Sequence, residues 1–269
     1  MSAAHLTGMD QASTAEQPAL EAMHVAKSFG AVRALTDASL VVWPGEVVGL
    51  IGDNAAGKST LIKCISGRLH ADAGTFRVGG KAFRATSPAA ARAQGIEVVY
   101  QSLALVDTVD IASNLFLGRE PVYGRGPLRH LGLLRVKQMR AETARTLGEV
   151  GVNLRGASMT DTVEHLSGGQ RQGIAVGRAV VWGQKVVLLD EPAAALGVEQ
   201  TRHVLHLVRR LKERGVGVVF ISHTMQQVLE VCDRVTIMRQ GRTVGSVVTT
   251  EASGEDLVSY MTGTTQPPG

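Results

Sequence analysis

The sequence predicts an α/β fold: a mixed, mainly parallel sheet flanked by helices, with a helical subdomain inserted into it. Three observations carry that expectation. Short β-branched runs recur along the chain, helical periodicities separate most of them, and one long stretch shows helical spacing alone. The first run, Val47–Ile51, is continuously apolar, as a strand covered on both faces must be. A helix over residues 58–67 follows it, and residues 97–100 read as the next strand. From about 102 to 165 no strand pattern appears; residues 136–150 have helical spacing, and 121–127 is a Gly/Pro-rich interruption. Strands are expected again over 186–189, 216–221 and 235–238, with helices over Val198–Glu213 and 222–231 between them. In the first of these two helices, Val204, Leu205, Leu207, Val208 and Leu211 form one apolar stripe.

Composition narrows the function classes. The 269 residues are 44% hydrophobic and 19% charged, enough apolar material for a large core and too much for a disordered chain. Aromatic residues at 4% are too sparse to stack single-stranded nucleic acid, and a net charge of +4 is no electrostatic footprint for it. No nucleic-acid partner is expected. Two cysteines, Cys64 and Cys232, cannot build a zinc cage alone and fit reduced thiols. The first twenty residues hold no Lys or Arg and no apolar run, unlike a signal peptide. No run of 18 apolar residues predicts a membrane span. The 31 glycines are the informative excess, because glycine is needed where backbone turns sharply or approaches a ligand closely.

The strongest motif is Gly52-Asp53-Asn54-Ala55-Ala56-Gly57-Lys58-Ser59, followed by Thr60. It fits G-x-x-x-x-G-K-[ST] and lies directly between an expected strand and an expected helix, the context that such a loop requires. Successive backbone N–H groups there wrap an anion, the helix start adds positive potential, Lys58 reaches terminal phosphates and the Ser59 hydroxyl can ligate Mg²⁺. Further on, an apolar strand ends in Asp190 and Glu191. Asp190 is suited to a Mg²⁺ shell and Glu191 to orienting or deprotonating a water.

Between these two motifs stands Leu166-Ser167-Gly168-Gly169-Gln170. Ser167 and Gln170 have the spacing of a capping box, and the glycines bare the N–H groups of a helix start. In this company the sequence resembles an ABC (ATP-binding cassette) nucleotide-binding domain of P-loop NTPase type, over about residues 21–250. Phe29 resembles the family's adenine-stacking aromatic, although a core position is its plainer reading. Gln101 resembles the Q-loop glutamine that senses Mg²⁺, and a loop residue is the plainer alternative. His223 resembles the switch histidine that contacts the γ-phosphate; by itself it reads as a neighbour of a helix cap at Ser222. The resemblance implies one ATPase domain over 21–263, with a core of about 21–101 and 167–250 and a helical subdomain of about 102–166. Residues 1–20 and 264–269 are expected to be disordered.

The resemblance also implies a mechanism. Two copies, or this chain and a similar cassette, would sandwich ATP head to tail, each covering the other's phosphate loop with its Ser167–Gln170 signature. Three positions depart from the family pattern: Ala55 for glycine, Ala193 for Thr or Ser, and Gly197 for Asp. The ending Ala194-Ala195-Leu196-Gly197 is similar to that of ATP-binding subunits of monosaccharide importers, as is the stretch from Leu103 through Asn114 to Glu120. This implies transmembrane permease subunits, an extracytoplasmic sugar-binding protein, and a place on the cytoplasmic face of the membrane. A cassette serving DNA, ribosomes or cofactor assembly, or one that binds ATP as a weakly hydrolysing switch, is the alternative.

Overall fold

Every strand expected from the sequence lies in one half of a single sheet. The computed structural model describes residues 17–100, 102–124, 132–149, 154, 156–194 and 196–268. Among these the strands are β1 (Leu20–Phe29), β2 (Val32–Val42), β3 (Val47–Ile51), β4 (Ala73–Val78), β5 (Lys81–Phe83), β6 (Ile96–Val99), β7 (Val186–Asp190), β8 (Gly217–Ile221), β9 (Arg234–Arg239) and β10 (Arg242–Val248). The helices are α1 (Lys58–Ile65), α2 (Pro88–Ala93), α3 (Ile111–Phe116), α4 (Val136–Glu149), α5 (Gly168–Trp182), α6 (Val198–Glu213), α7 (Met225–Val231) and α8 (Gly254–Thr262).

The sheet order is β5-β4-β1-β2-β10-β9-β3-β8-β7-β6. From β9 to β6 every pairing is parallel, whereas β5, β4, β1 and β2 pair antiparallel, as do β9 and β10. All five residues of β3, of β7 and of β8 are buried. Their alternate side chains enter two apolar clusters, one per face. Val47, Ile51, Val187, Leu189, Val218 and Phe220 meet α5 and α6. Val48, Leu50, Val186, Leu188, Val219 and Ile221 meet Leu61, Ile62 and Ile65 of α1. Burial on both faces is why these strands read as unbroken apolar runs.

The antiparallel strands were not legible in that way. β1 and β2 are mixed in exposure, and their register shifts at several points, so neither alternation nor a solid apolar run survives in the sequence. The sheet also begins earlier than expected, with Ala19 and Leu20 buried. At the other end, α8 closes on Gly263, the amides of Thr264 and Thr265 donate to the Ser259 carbonyl, and Pro267 lies against Gly245.

Among the described residues between β6 and β7 the regular structure is helical, and β pairing is limited to the isolated bridges Asp110 to Thr162 and Val122 to Leu134. Asn114, fully buried, pins the segment before α3: its Oδ1 accepts from the Val106 amide at 2.8 Å, and its Nδ2 donates to the Val106 and Val109 carbonyls. No helix among the described residues is long and apolar enough to cross a membrane.

Phe220, fully buried in β8, is the largest side chain in that central layer. Phe220→Ala is expected to cost about 3–5 kcal/mol of stability, read as a drop in the denaturant midpoint at unchanged slope.

Candidate active site

Lys58 follows β3, Asp190 and Glu191 close β7, and His223 follows β8. These strands are neighbours in parallel, so their C-terminal ends open on one edge of the sheet. The loop from Gly52 to Ser59 joins β3 to α1 there. Gly52 has φ 155°, and a Cβ on it would sit 2.2 Å from the Met238 carbonyl oxygen. Gly57 has φ 101°, and a Cβ on it would meet Leu35 Cδ2 at 2.7 Å and the Ala34 carbonyl oxygen at 2.8 Å. Both glycines are therefore required by close neighbours and by left-handed backbone. Ala55 shares that backbone, at φ 69°, without being glycine. The Ala56 carbonyl accepts from the Gly241 amide, whose own carbonyl accepts from the Thr36 amide at 2.7 Å. These bonds tie the loop to the β1–β2 hairpin.

Lys58 is buried and folds back over its own loop, donating through Nζ to the Gly52 carbonyl at 2.5 Å and the Asp53 carbonyl at 3.0 Å. Burial lowers the pKa of its ammonium, while the charges of Glu191, Asp190 and Asp53 act to keep it protonated. At the start of α1 no side chain caps the helix and the first turn has no acidic residue, so its N–H groups and its positive end face the loop. The Ser59 hydroxyl lies beside the Asp190 side chain. Burial raises the Asp190 pKa, the nearby Ser59 hydroxyl opposes that rise, and the adjacent Glu191 charge adds to it.

Glu191 has φ 54°, uncommon for a residue with a β-carbon, and its amide donates to the Ile221 carbonyl at 3.1 Å. That turn swings its carboxylate toward β8, where His223 Nε2 lies 2.5 Å from Glu191 Oε1. Next to it the Ser222 Oγ accepts from the Thr224 amide, and α7 begins at Met225 without a side-chain cap. Phe29 is not a core residue: it is 47% exposed at the hairpin tip, with the Lys27 ammonium 5.6 Å from its ring centroid. Asp53 and Asn54 are exposed and Thr60 is half-buried.

Ser167 and Gln170 form the expected capping box: the Ser167 amide donates to Gln170 Oε1 at 2.9 Å, and the Gln170 amide donates to Ser167 Oγ. Gln170 Nε2 donates to the Leu154 carbonyl, so both ends of that side chain are engaged within the chain. Ser167 and Gly168 are exposed, and a Cβ on Gly168 would meet nothing within 4 Å, whereas one on Gly169 would meet Gln200. Gln101 lies outside the described residues. Just beyond it, Leu103 and Ala104 both have positive φ, and Arg178 of α5 donates to their carbonyls at 3.3 and 3.1 Å. Sequence reading missed Arg178; an arginine on a helix carries no mark of the turn that it holds. Ala193 is buried, and Gly197 begins α6 without a side-chain cap. Burial pushes the Cys64 thiol up to about 11 and raises Cys232 as well, so both stay protonated in the core.

The arrangement fits a Mg²⁺-bound phosphate chain. The loop cannot accept a Cβ at Gly52 or Gly57, and the paired oxygens of Ser59 and Asp190 are the hard donors that Mg²⁺ takes. A protein-family model described as ABC transporter matches residues 35–194. The chain is 44% identical over 259 residues to the fructose import ATP-binding protein FrcA of Rhizobium meliloti, covering 94% of this chain and 97% of that one. It is 43% identical to the xylose/arabinose import ATP-binding protein XylG of Sulfolobus acidocaldarius, covering 90% and 93%. Among solved structures, MJ1267, an ATP-binding cassette of an ABC transporter in its ADP conformation, superposes with a TM-score of 0.73 at 27% identity, covering 91% of this chain and 95% of that one.

Two substitutions probe the site. Ala55→Gly is expected to tighten nucleotide binding by up to about fivefold, the equivalent of about 1 kcal/mol of relieved left-handed backbone, in a calorimetric titration; equal affinity removes the strain from the account. Asp190→Asn is expected to cut hydrolysis by about 100-fold or more while raising the Tm. The stability gain has a sign in pH: a carboxyl whose folded pKa is raised costs nothing below its unfolded pKa and its full penalty above its folded one. The gap in Tm between variant and parent should open as pH rises through the folded pKa of Asp190 and close in acid.

Proposed function

The chain belongs to the ABC transporter family, and on that premise we propose that it is the ATP-binding and ATP-hydrolysing subunit that energises a monosaccharide importer. One observation carries the reading. Neighbouring parallel strands bring Lys58, Ser59 beside Asp190, and the contact between Glu191 and His223 to one edge of the sheet. In this reading the N–H groups of the loop from Gly52 to Thr60 and the Lys58 ammonium hold the triphosphate, and Phe29 stacks on the base. Ser59 and Asp190, with Gln101, hold Mg²⁺, which when bound neutralises phosphate charge. Glu191, whose carboxylate His223 orients, accepts the proton of the attacking water, and His223 also reaches the γ-phosphate. The Lys58 side chain, beside two carboxylates, stabilises the charge that develops on the phosphate oxygens.

The signature completes the site in a second copy. Ser167 caps α5 and Gly168 stands open to solvent at its start, so the N–H groups of that helix are offered to a phosphate held by the other molecule. ATP then joins two copies, because each contributes donors that the other lacks, and hydrolysis separates them. Transport requires permease subunits in the membrane and a sugar-binding protein outside it. The similarity to fructose and xylose/arabinose import ATP-binding proteins along nearly the whole chain supports a monosaccharide as the solute.

Glu191→Gln is the decisive variant. It is expected to slow hydrolysis by about 100-fold or more and, with Mg-ATP present, to elute as a dimer in size-exclusion chromatography with light scattering. A variant that stays monomeric and hydrolyses like the parent overturns the proposal.

A further inference from the structure

The side chain of Gln200 lies between the starts of α5 and α6. A Cβ on Gly169, in the first turn of α5, would fall 2.7 Å from Gln200 Cγ. One on Gly197, where α6 begins, would fall 2.6 Å from Gln200 Oε1, and Gln200 Cδ would be 3.7 Å from each. Gly169 is helical and Gly197 has φ −68°, so neither position needs glycine for its backbone. Space is what calls for glycine at both: Gln200 stands where side chains at 169 and 197 would begin.

One three-residue spacing is used in two ways at these helices. Ser167 and Gln170 close a capping box within α5. Gly197 and Gln200 have the same spacing, but Gly197 has no side chain to cap α6, and the Gln200 amide group makes no hydrogen bond among the described residues. The Gln200 side chain leans across to α5 instead. This accounts for glycine at 197: an Asp there would cap α6, but it would start in the space that Gln200 Oε1 fills. The turns that lead to Gly197 start at Glu191, whose carbonyl accepts from the Ala194 amide at 3.2 Å. Gln200 therefore touches the end of the segment that carries the catalytic carboxylate and, on its other side, the glycine next to the open Gly168.

We propose that Gln200 is a positioning residue for the signature: wedged between the starts of α5 and α6, it sets the spacing at which the N–H groups of Gly168 and Gly169 are presented to ATP held by a second copy. This rests on the ATP-joined dimer described above. Gln200 acts through those N–H groups and takes no part in its own chain's phosphate loop. It also puts the segment that serves one nucleotide, after Glu191, in contact with the helix start that serves the other.

The test measures the Mg-ATP concentration that gives half-maximal dimer in the Glu191→Gln background. Gln200→Ala is expected to raise it about fivefold or more, and Gln200→Met, which keeps the Cγ, to stay within about twofold. Mg-ADP lacks the γ-phosphate and should bind the single chain equally well in all three. Gln200→Ala that dimerises at the parent's Mg-ATP concentration, or that binds Mg-ADP more weakly, overturns the positioning role. Gln200→Met as impaired as Gln200→Ala overturns the wedge. The crowding is read separately, with no dimer required. Gly197→Asp supplies a better cap, so its effect on Tm should be more favourable by about 1 °C or more in the Gln200→Ala background than in the parent. Equal changes in both backgrounds overturn the wedge. A Glu191→Gln chain that stays monomeric in Mg-ATP, with the Tm difference present, overturns the dimer reading and the presentation to a second copy, but not the contact within the chain.

Discussion

The site depends on the parallel pairing of three strands. With β8 between β3 and β7 in parallel, three separate turns emerge at one edge, and whatever each carries must meet. An antiparallel arrangement would send the middle turn to the far side of the molecule. The pairing is secured by apolar packing on both faces, with α1 on one and α5 and α6 on the other. The order of strands, more than any single hydrogen bond, brings His223 to Glu191 and Asp190 to Ser59.

Backbone that ordinary residues avoid is concentrated around this edge. Ala55 and Glu191 adopt left-handed conformations at the ends of β3 and β7, and Leu103 and Ala104 do so after β6. Each is held from outside its own turn. The loop containing Ala55 is bonded to Gly241, Glu191 is bonded to Ile221, and the pair at 103 and 104 is bonded to Arg178. Strain of this kind aims functional groups: without it the Glu191 carboxylate would continue the alternation of β7 and miss His223.

The helical region is attached to the sheet mainly through α5, which starts at the signature and ends at Trp182. Along that one helix lie the exposed Gly168, the clamp from Arg178 onto the turn after β6, and Trp182, whose indole N–H donates to the Leu115 carbonyl of α3. One continuous helix bearing all three holds them at fixed positions relative to one another. Asn114 serves a smaller version of the same purpose, fixing the segment before α3 through bonds from one buried amide.

The sequence by itself determined the central strands, the phosphate loop with its flanking strand and helix, the carboxylate pair and the capping box at Ser167. Each is encoded within a few consecutive residues, as continuous apolar runs, obligatory glycines or a fixed three-residue spacing. Tertiary structure decided the rest. Whether Phe29 is buried, whether His223 faces Glu191 or a helix cap, and which backbone Arg178 holds depend on partners distant in the chain. The antiparallel strands belong to the same class, because β1 and β2 are half-exposed and irregular in register, and local periodicity fades where neither face is uniformly covered. Local sequence fixes what a segment can present; only packing against remote segments fixes what it meets.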